Sequence, residues 1–144
     1  MSTLGEVLAR ARAEGDYNLL LDAIPYARFL GLRAQVQGEL VRLHLPFRVG
    51  LVGNPLLPAL HGGVVGACLE TAALLQILQL RGVSQVPKTV DFTVDYLRAA
   101  RAADLFAEAE VQRLGRRIVN VRMRAFQAGP EAPIALGRGN FLVD

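Results

Sequence analysis

The spacing of apolar residues divides the chain into a helical start, one long apolar helix and an alternating second half. Residues 4–14 carry helical spacing and stop at Gly15, and a second short helical stretch is predicted from Tyr17 to about Ala23, bounded by Pro25. Leu30 to Gln37 and Glu39 to Phe47 read as strands, with Gly38 turning the chain between them. Residues 48–60 hold Gly50, Gly53, Asn54, Pro55 and Pro58, punctuation too dense for regular structure. A single helix is then predicted from Gly62 to Leu80, closed by Arg81, Gly82 and, further on, Pro87.

Beyond that helix the period changes to two. Thr89 to Ala99 places Val90, Phe92, Val94 and Tyr96 on one face, with Thr89, Asp91, Thr93 and Asp95 on the other. Leu105 to Leu114, Ile118 to Gln127 and Ile134 to Val143 follow as strands, with turns at Gly115 and around Gly129, Pro130 and Pro133. Short links between consecutive strands predict an antiparallel meander. The Gly62–Leu80 helix is apolar almost all round and needs cover on nearly every side. The expected class is α+β: a curved antiparallel sheet of five to six strands wrapped round one long central helix. The sheet covers half of that helix, so a second subunit is expected on the other half, in a homodimer or homotetramer. Residues 1–144 are read as one domain, with 1–24 as an N-terminal helical extension.

Composition narrows the chemistry. Apolar residues are 52% of the chain, which excludes a disordered protein. The net charge of +3 is too small to argue for nucleic acid, and the basic turns lack the interleaved aromatics such binding uses. All basic side chains except Lys88 are arginines, suited to phosphates and carboxylates. The lone cysteine, Cys68, sits among small apolar residues and reads as packing; no metal cluster and no cofactor are expected. Glu70, Thr71, Gln76 and Gln79 interrupt the most apolar segment and argue against a membrane span, and no signal peptide is seen. A cytoplasmic location is the expectation.

Two features carry candidate chemistry. Glu70 has Gly66, Ala67, Ala73 and Leu74 as its helical neighbours, none able to pair with a carboxylate, which makes it a candidate base or nucleophile. The turn His61-Gly62-Gly63 opens the same helix, where free N–H groups and the helix dipole stabilise an oxyanion and glycine admits a substrate closely. His61 could orient the turn or polarise a carbonyl. Nine residues of helix amount to about 180° of rotation and about 13.5 Å of rise. His61 and Glu70 of one chain therefore face apart. Two antiparallel copies of the helix would bring Glu70 of one subunit near Gly62 of the other, predicting two equivalent sites across a twofold axis.

Asn54, His61-Gly62-Gly63, Glu70 on an apolar helix, and the run Thr89-Val90-Asp91-Phe92-Thr93-Val94-Asp95-Tyr96-Leu97-Arg98 together resemble the hotdog-fold acyl-CoA thioesterases of the PaaI, phenylacetate-degradation type. The segment Ile24 to Leu32 is similar to that family's lead into its first strand, so the likeness covers roughly residues 24–143. The resemblance implies that Gly62 donates its N–H to the thioester oxygen and that Asn54 and His61 shape the hole. It implies that Glu70 of the partner subunit activates water or attacks the acyl carbon, with Thr89 in support. Many members carry Asp at the Glu70 position, though a related aromatic acyl-CoA branch uses Glu; Asn54 lies one residue further from the histidine than the family pattern. The coenzyme moiety of the substrate is expected at Arg113, Arg116 and Arg117 and at Tyr96, Arg98 and Arg101.

Two other readings compete. A hotdog dehydratase usually shows a proline-bearing interval between His and carboxylate, and the interval here has none. A non-catalytic acyl-CoA-binding module, such as the effector domain of a regulator, explains Glu70 less well than an enzyme does.

Overall fold

The computed structural model describes residues 2–144. Three helices come first: α1 (Leu4–Glu14), α2 (Asn18–Ala23) and α3 (Pro25–Leu30). Thr3 and Glu6 close a capping box at the start of α1, and Gly15 ends it with φ 66°. The prediction of a strand from Leu30 is corrected. Pro25 does bound α2, but it also occupies the first turn of α3, where its fixed φ and missing N–H cost nothing. Gly31, at φ 78°, releases the chain into β1 (Arg33–Gln37) and, past Gly38, β2 (Leu40–Leu45).

Residues 48–60 are more regular than their punctuation predicts. They form a 3-10 turn at Val49–Leu51 and a small hairpin of β3 (Val52–Asn54) and β4 (Ala59–Leu60). Next comes α4 (Gly62–Leu80), with the predicted bounds. The last strands are β5 (Lys88–Tyr96), β6 (Leu105–Leu114), β7 (Ile118–Phe126) and β8 (Pro133–Leu142). The main sheet is antiparallel in the order β1-β2-β6-β7-β8-β5. The meander comprises β6, β7 and β8, while β5 lies beyond β8 as an edge strand.

The sheet's inner face wraps α4 as expected. Val41, Leu43, Val119, Val121, Ala125 and Phe141 are all buried there against Leu69, Ala72, Ile77 and Leu78 of the helix. At roughly 25 cal/mol per Å² of apolar surface, a fully buried Leu or Ile contributes about 2 kcal/mol, so this layer dominates the stability. Cover is incomplete on one side. Ala67, Glu70, Thr71 and Leu74, spaced as one helical stripe, stay partly exposed beside the edge strand β5. The outer face carries a buried carboxylate. Glu108 is 2% exposed there, held by Arg42 at 2.6 Å and Arg124 at 3.1 Å.

One strand departs from strict alternation in a way that matters for the site. The pairing of β5 with β8 steps from Thr89↔Phe141 to Asp91↔Asn140, leaving Val90 as the extra residue of a β-bulge. Val90 is thrown outward and is 58% exposed, whereas Thr89 turns to the inner face with Phe92 and Val94. The expected faces of Thr89 and Val90 are therefore exchanged.

Candidate active site

His61 is the N-cap of α4, and the turn around it is tightly specified. Its backbone is extended (φ −61°, ψ 132°), its N–H donates to Leu51 O at 2.9 Å, and its Nδ1 accepts the Gly63 N–H at 2.9 Å. That last bond places the imidazole proton on Nε2. His61 O accepts the Val64 and Val65 N–H groups. Every N–H of this first turn is thus engaged except that of Gly62, which has no acceptor among the described residues. A free N–H at the positive end of a 19-residue helix is placed and polarised to receive an anionic oxygen.

The glycines on either side of the histidine have steric reasons. A Cβ on Gly53 would stand 2.7 Å from His61 Cα, and one on Gly63 would stand 2.9 Å from His61 Nδ1. The imidazole is held between two residues without side chains. The first of these, Gly53 in β3, was not singled out from the sequence. Asn54, beside it, is exposed, and its Oδ1 accepts the Leu56 N–H at 3.0 Å, folding the β3–β4 turn.

Tyr96 reaches this turn from the end of β5. Its hydroxyl donates to Gly62 O at 2.7 Å, and its ring stands 3.5 Å from where a Gly62 Cβ would be. Gly62, Tyr96 and Arg98 line a cleft of about 400 Å³ whose walls include Leu60, Val65, Leu97 and Ile134. Arg101 adjoins it at the β4 edge, its backbone fixed by Gln127.

Glu70 is the second centre, and the expectation of a buried, partnerless carboxylate is corrected. It is partly exposed on the uncovered stripe of α4, and the Thr89 hydroxyl donates to its Oε2 at 2.6 Å. The Val90 bulge makes this contact, because without it Thr89 would face outward. Gly62 and Glu70 are about 12 Å apart by helix rise, and β5 meets α4 at both places, through Tyr96 and through Thr89. The Gly62 N–H and the Glu70 carboxylate are not brought together within one chain. Cys68, two residues before Glu70, is sealed in the core, and burial pushes its thiol up to about 12.

The basic turn is a third centre. Arg113, Arg116 and Arg117 line a cleft of about 660 Å³ with Asn120 and Asn140. Arg113 pairs with Asn120, which pairs with Asn140 opposite Asp91, and that row belongs to the outer face. Arg117 instead stands at the end of the sheet, sharing a cleft with Lys88, next to Thr89. Arg81 braces this turn from the end of α4, its guanidinium donating to Gly115 O and, at 2.6 Å, to Arg116 O. Sequence reading marked Arg81 only as a helix end and gave Lys88 no role. Tyr96, Arg98 and Arg101 lie at the opposite end of β5 from Arg117, so the two basic groups do not meet in one chain. Among the described residues, no three His, Cys, Asp or Glu side chains are grouped to hold a metal ion.

Known proteins share both the sequence pattern and the fold. The thioesterase superfamily sequence model matches residues 57–134, more than half of the chain. The medium/long-chain acyl-CoA thioesterase YigI of Escherichia coli strain K12 is 28% identical over 114 residues, spanning 69% of this chain and 74% of that protein. A Chromobacterium violaceum crystal structure aligns with TM-score 0.77 and 34% identity, over 95% of this chain and 96% of that one. A Shewanella oneidensis protein related to the thioesterase superfamily aligns with TM-score 0.77 and 26% identity, over 98% and 97%. The chain belongs to the thioesterase superfamily, a thioester hydrolase built on the hotdog fold.

Proposed function

We propose that the substrate is an acyl-CoA, hydrolysed to free acid and CoA at sites shared between two subunits. The observation that carries the reading is the unclaimed Gly62 N–H at the start of α4, opening on a largely apolar cleft. The thioester oxygen accepts that N–H, which holds the charge developing on it as the tetrahedral intermediate forms. Water adds to the carbonyl carbon while Glu70 of the partner subunit takes its proton. The C–S bond then breaks, and the carboxyl returns the proton to the departing CoA sulfur. Thr89 orients the carboxylate through its hydroxyl, and His61 holds the glycine turn.

A shared site follows from the same distances. One chain separates Gly62 from Glu70, while the uncovered stripe of Ala67, Glu70, Thr71 and Leu74 lies along the edge strand where a second copy would dock. Two chains packed there, antiparallel along α4, complete two sites. Arg116, Arg117 and Lys88 then lie near the carboxylate end, suited to the phosphates of the coenzyme, and Arg98 stands at the oxyanion end. The acyl group fits the cleft beside Leu60, Val65 and Ile134; the acyl-CoA activity of the Escherichia coli relative favours this substrate class.

The test is a panel of aromatic, short-chain and medium-chain acyl-CoAs with thiol detection, run on wild type and Glu70→Gln. Hydrolysis of a panel member that falls at least about a hundredfold in Glu70→Gln is expected. Tight binding without cleavage of any member would defeat the hydrolysis reading and favour a non-catalytic acyl-CoA-binding module. Mixing Gly62→Pro and Glu70→Gln chains should restore about a quarter of wild-type activity, because half the dimers carry one intact site. No recovery after confirmed subunit exchange would refute the shared site.

A further inference from the structure

A peptide unit between two glycines is the least restrained piece of backbone a turn can contain. The Gly62–Gly63 peptide is such a unit in the first turn of α4, and beyond the helical bond to its oxygen it is held at both edges. Its oxygen accepts the Tyr96 hydroxyl at 2.7 Å, and its N–H donates to His61 Nδ1 at 2.9 Å. The preceding peptide, which carries the Gly62 N–H, has its oxygen fixed by Val64 and Val65. Since peptide units are planar, fixing these two planes leaves the Gly62 N–H a single direction.

We infer that Tyr96 is a positioning residue for hydrolysis: with His61 it clamps the Gly62–Gly63 peptide and so aims the oxyanion donor. This rests on Gly62 being that donor. Tyr96 is well placed for the task because β5 runs beside α4 and ends at its first turn. Its ring lies 3.5–3.6 Å from where a Gly62 Cβ would be, so the hydroxyl reaches the carbonyl across the side of the turn that glycine leaves open. The residue is 55% exposed, and a single hydroxyl–carbonyl bond in that setting adds little to folding. Its effect belongs to geometry: an oxyanion donor acts only when aimed at the developing charge, and misplacement costs rate even where the ground-state complex is unchanged.

The test is Tyr96→Phe, which keeps the ring and removes the hydroxyl. Expected are a fall in kcat of about tenfold, KM within about twofold of wild type and an unchanged Tm. In the substrate-free protein, amide hydrogen exchange at Gly63, followed by NMR, should speed up in Tyr96→Phe as one edge of the clamp is released. Unchanged exchange at Gly63 would overturn the clamp whatever the kinetics. A raised KM with kcat intact would also overturn it, because Tyr96 would then be a substrate contact. If wild type cleaves no member of the acyl-CoA panel, the substrate reading falls, while the exchange measurement still decides the clamp.

Discussion

Gly62→Pro separates the proposed oxyanion donor from the fold that presents it. The substitution removes the one N–H that the turn leaves free, and the local geometry accepts proline. Gly62 is the first residue of α4, where the missing N–H has no helical partner and the fixed φ suits the helix. His61, which precedes it, already holds ψ 132°, the extended conformation that a residue before proline requires. A Cβ at this position meets the Tyr96 ring at 3.5 Å, an ordinary contact. Stability should therefore stay within about 1 kcal/mol of wild type, which is about 4 °C in Tm for a chain of this size. Activity should behave differently. Losing one oxyanion donor costs about 10²–10³ in kcat, or about 3–4 kcal/mol of transition-state stabilisation. Gly62→Ala retains the N–H and adds only the Cβ, so its loss should be much smaller and isolates the steric part. The assay is CoA release by thiol detection, with thermal melting of all three proteins. A Gly62→Pro variant that melts like wild type and hydrolyses like wild type would refute Gly62 as the donor.

The two glycines around His61 should respond in opposite ways. Gly53→Ala forces a Cβ onto the His61 backbone and should lose roughly 1–3 kcal/mol of stability by thermal melting. Gly63→Ala displaces only the imidazole, so it should lose activity at least tenfold while its Tm stays within about 4 °C of wild type. Cys68, with its thiol pushed up to about 12 by burial, should react with thiol reagents at pH 8 about a thousandfold more slowly than an ordinary cysteine until the protein is unfolded. Rapid labelling of the native protein would contradict that burial. Asp104 is held below the usual carboxylate range first by the Phe47 N–H and then by His44. Its small stabilisation is therefore present above the ordinary carboxylate pKa and fades as pH falls through the lowered value. Between about pH 5 and pH 3, the Tm of wild type should drop more than that of Asp104→Asn.

The bounds of α4, the glycine turn at its start and the alternating strands β6 to β8 were all legible in the sequence. Each depends on interactions within a few residues: helical spacing, an N-cap, a period of two, a glycine turn. Pro25 carried a local signal as well, as a helix starter, but it serves two helices at once and its second role went unread. What tertiary structure alone decided was the second centre. Thr89 reaches Glu70 only because β5, pairing with a strand some fifty residues later, inserts Val90 as a bulge and reverses the faces behind it. Tyr96 reaches Gly62, and Arg81 the basic turn, by the same kind of long-range packing, which leaves no periodic trace. The sequence thus determined the His61-Gly62-Gly63 turn at the start of α4, whose parts are neighbours along the chain. The partners of Glu70 and the uncovered stripe around it depend on how distant strands register, and only the folded chain decides that.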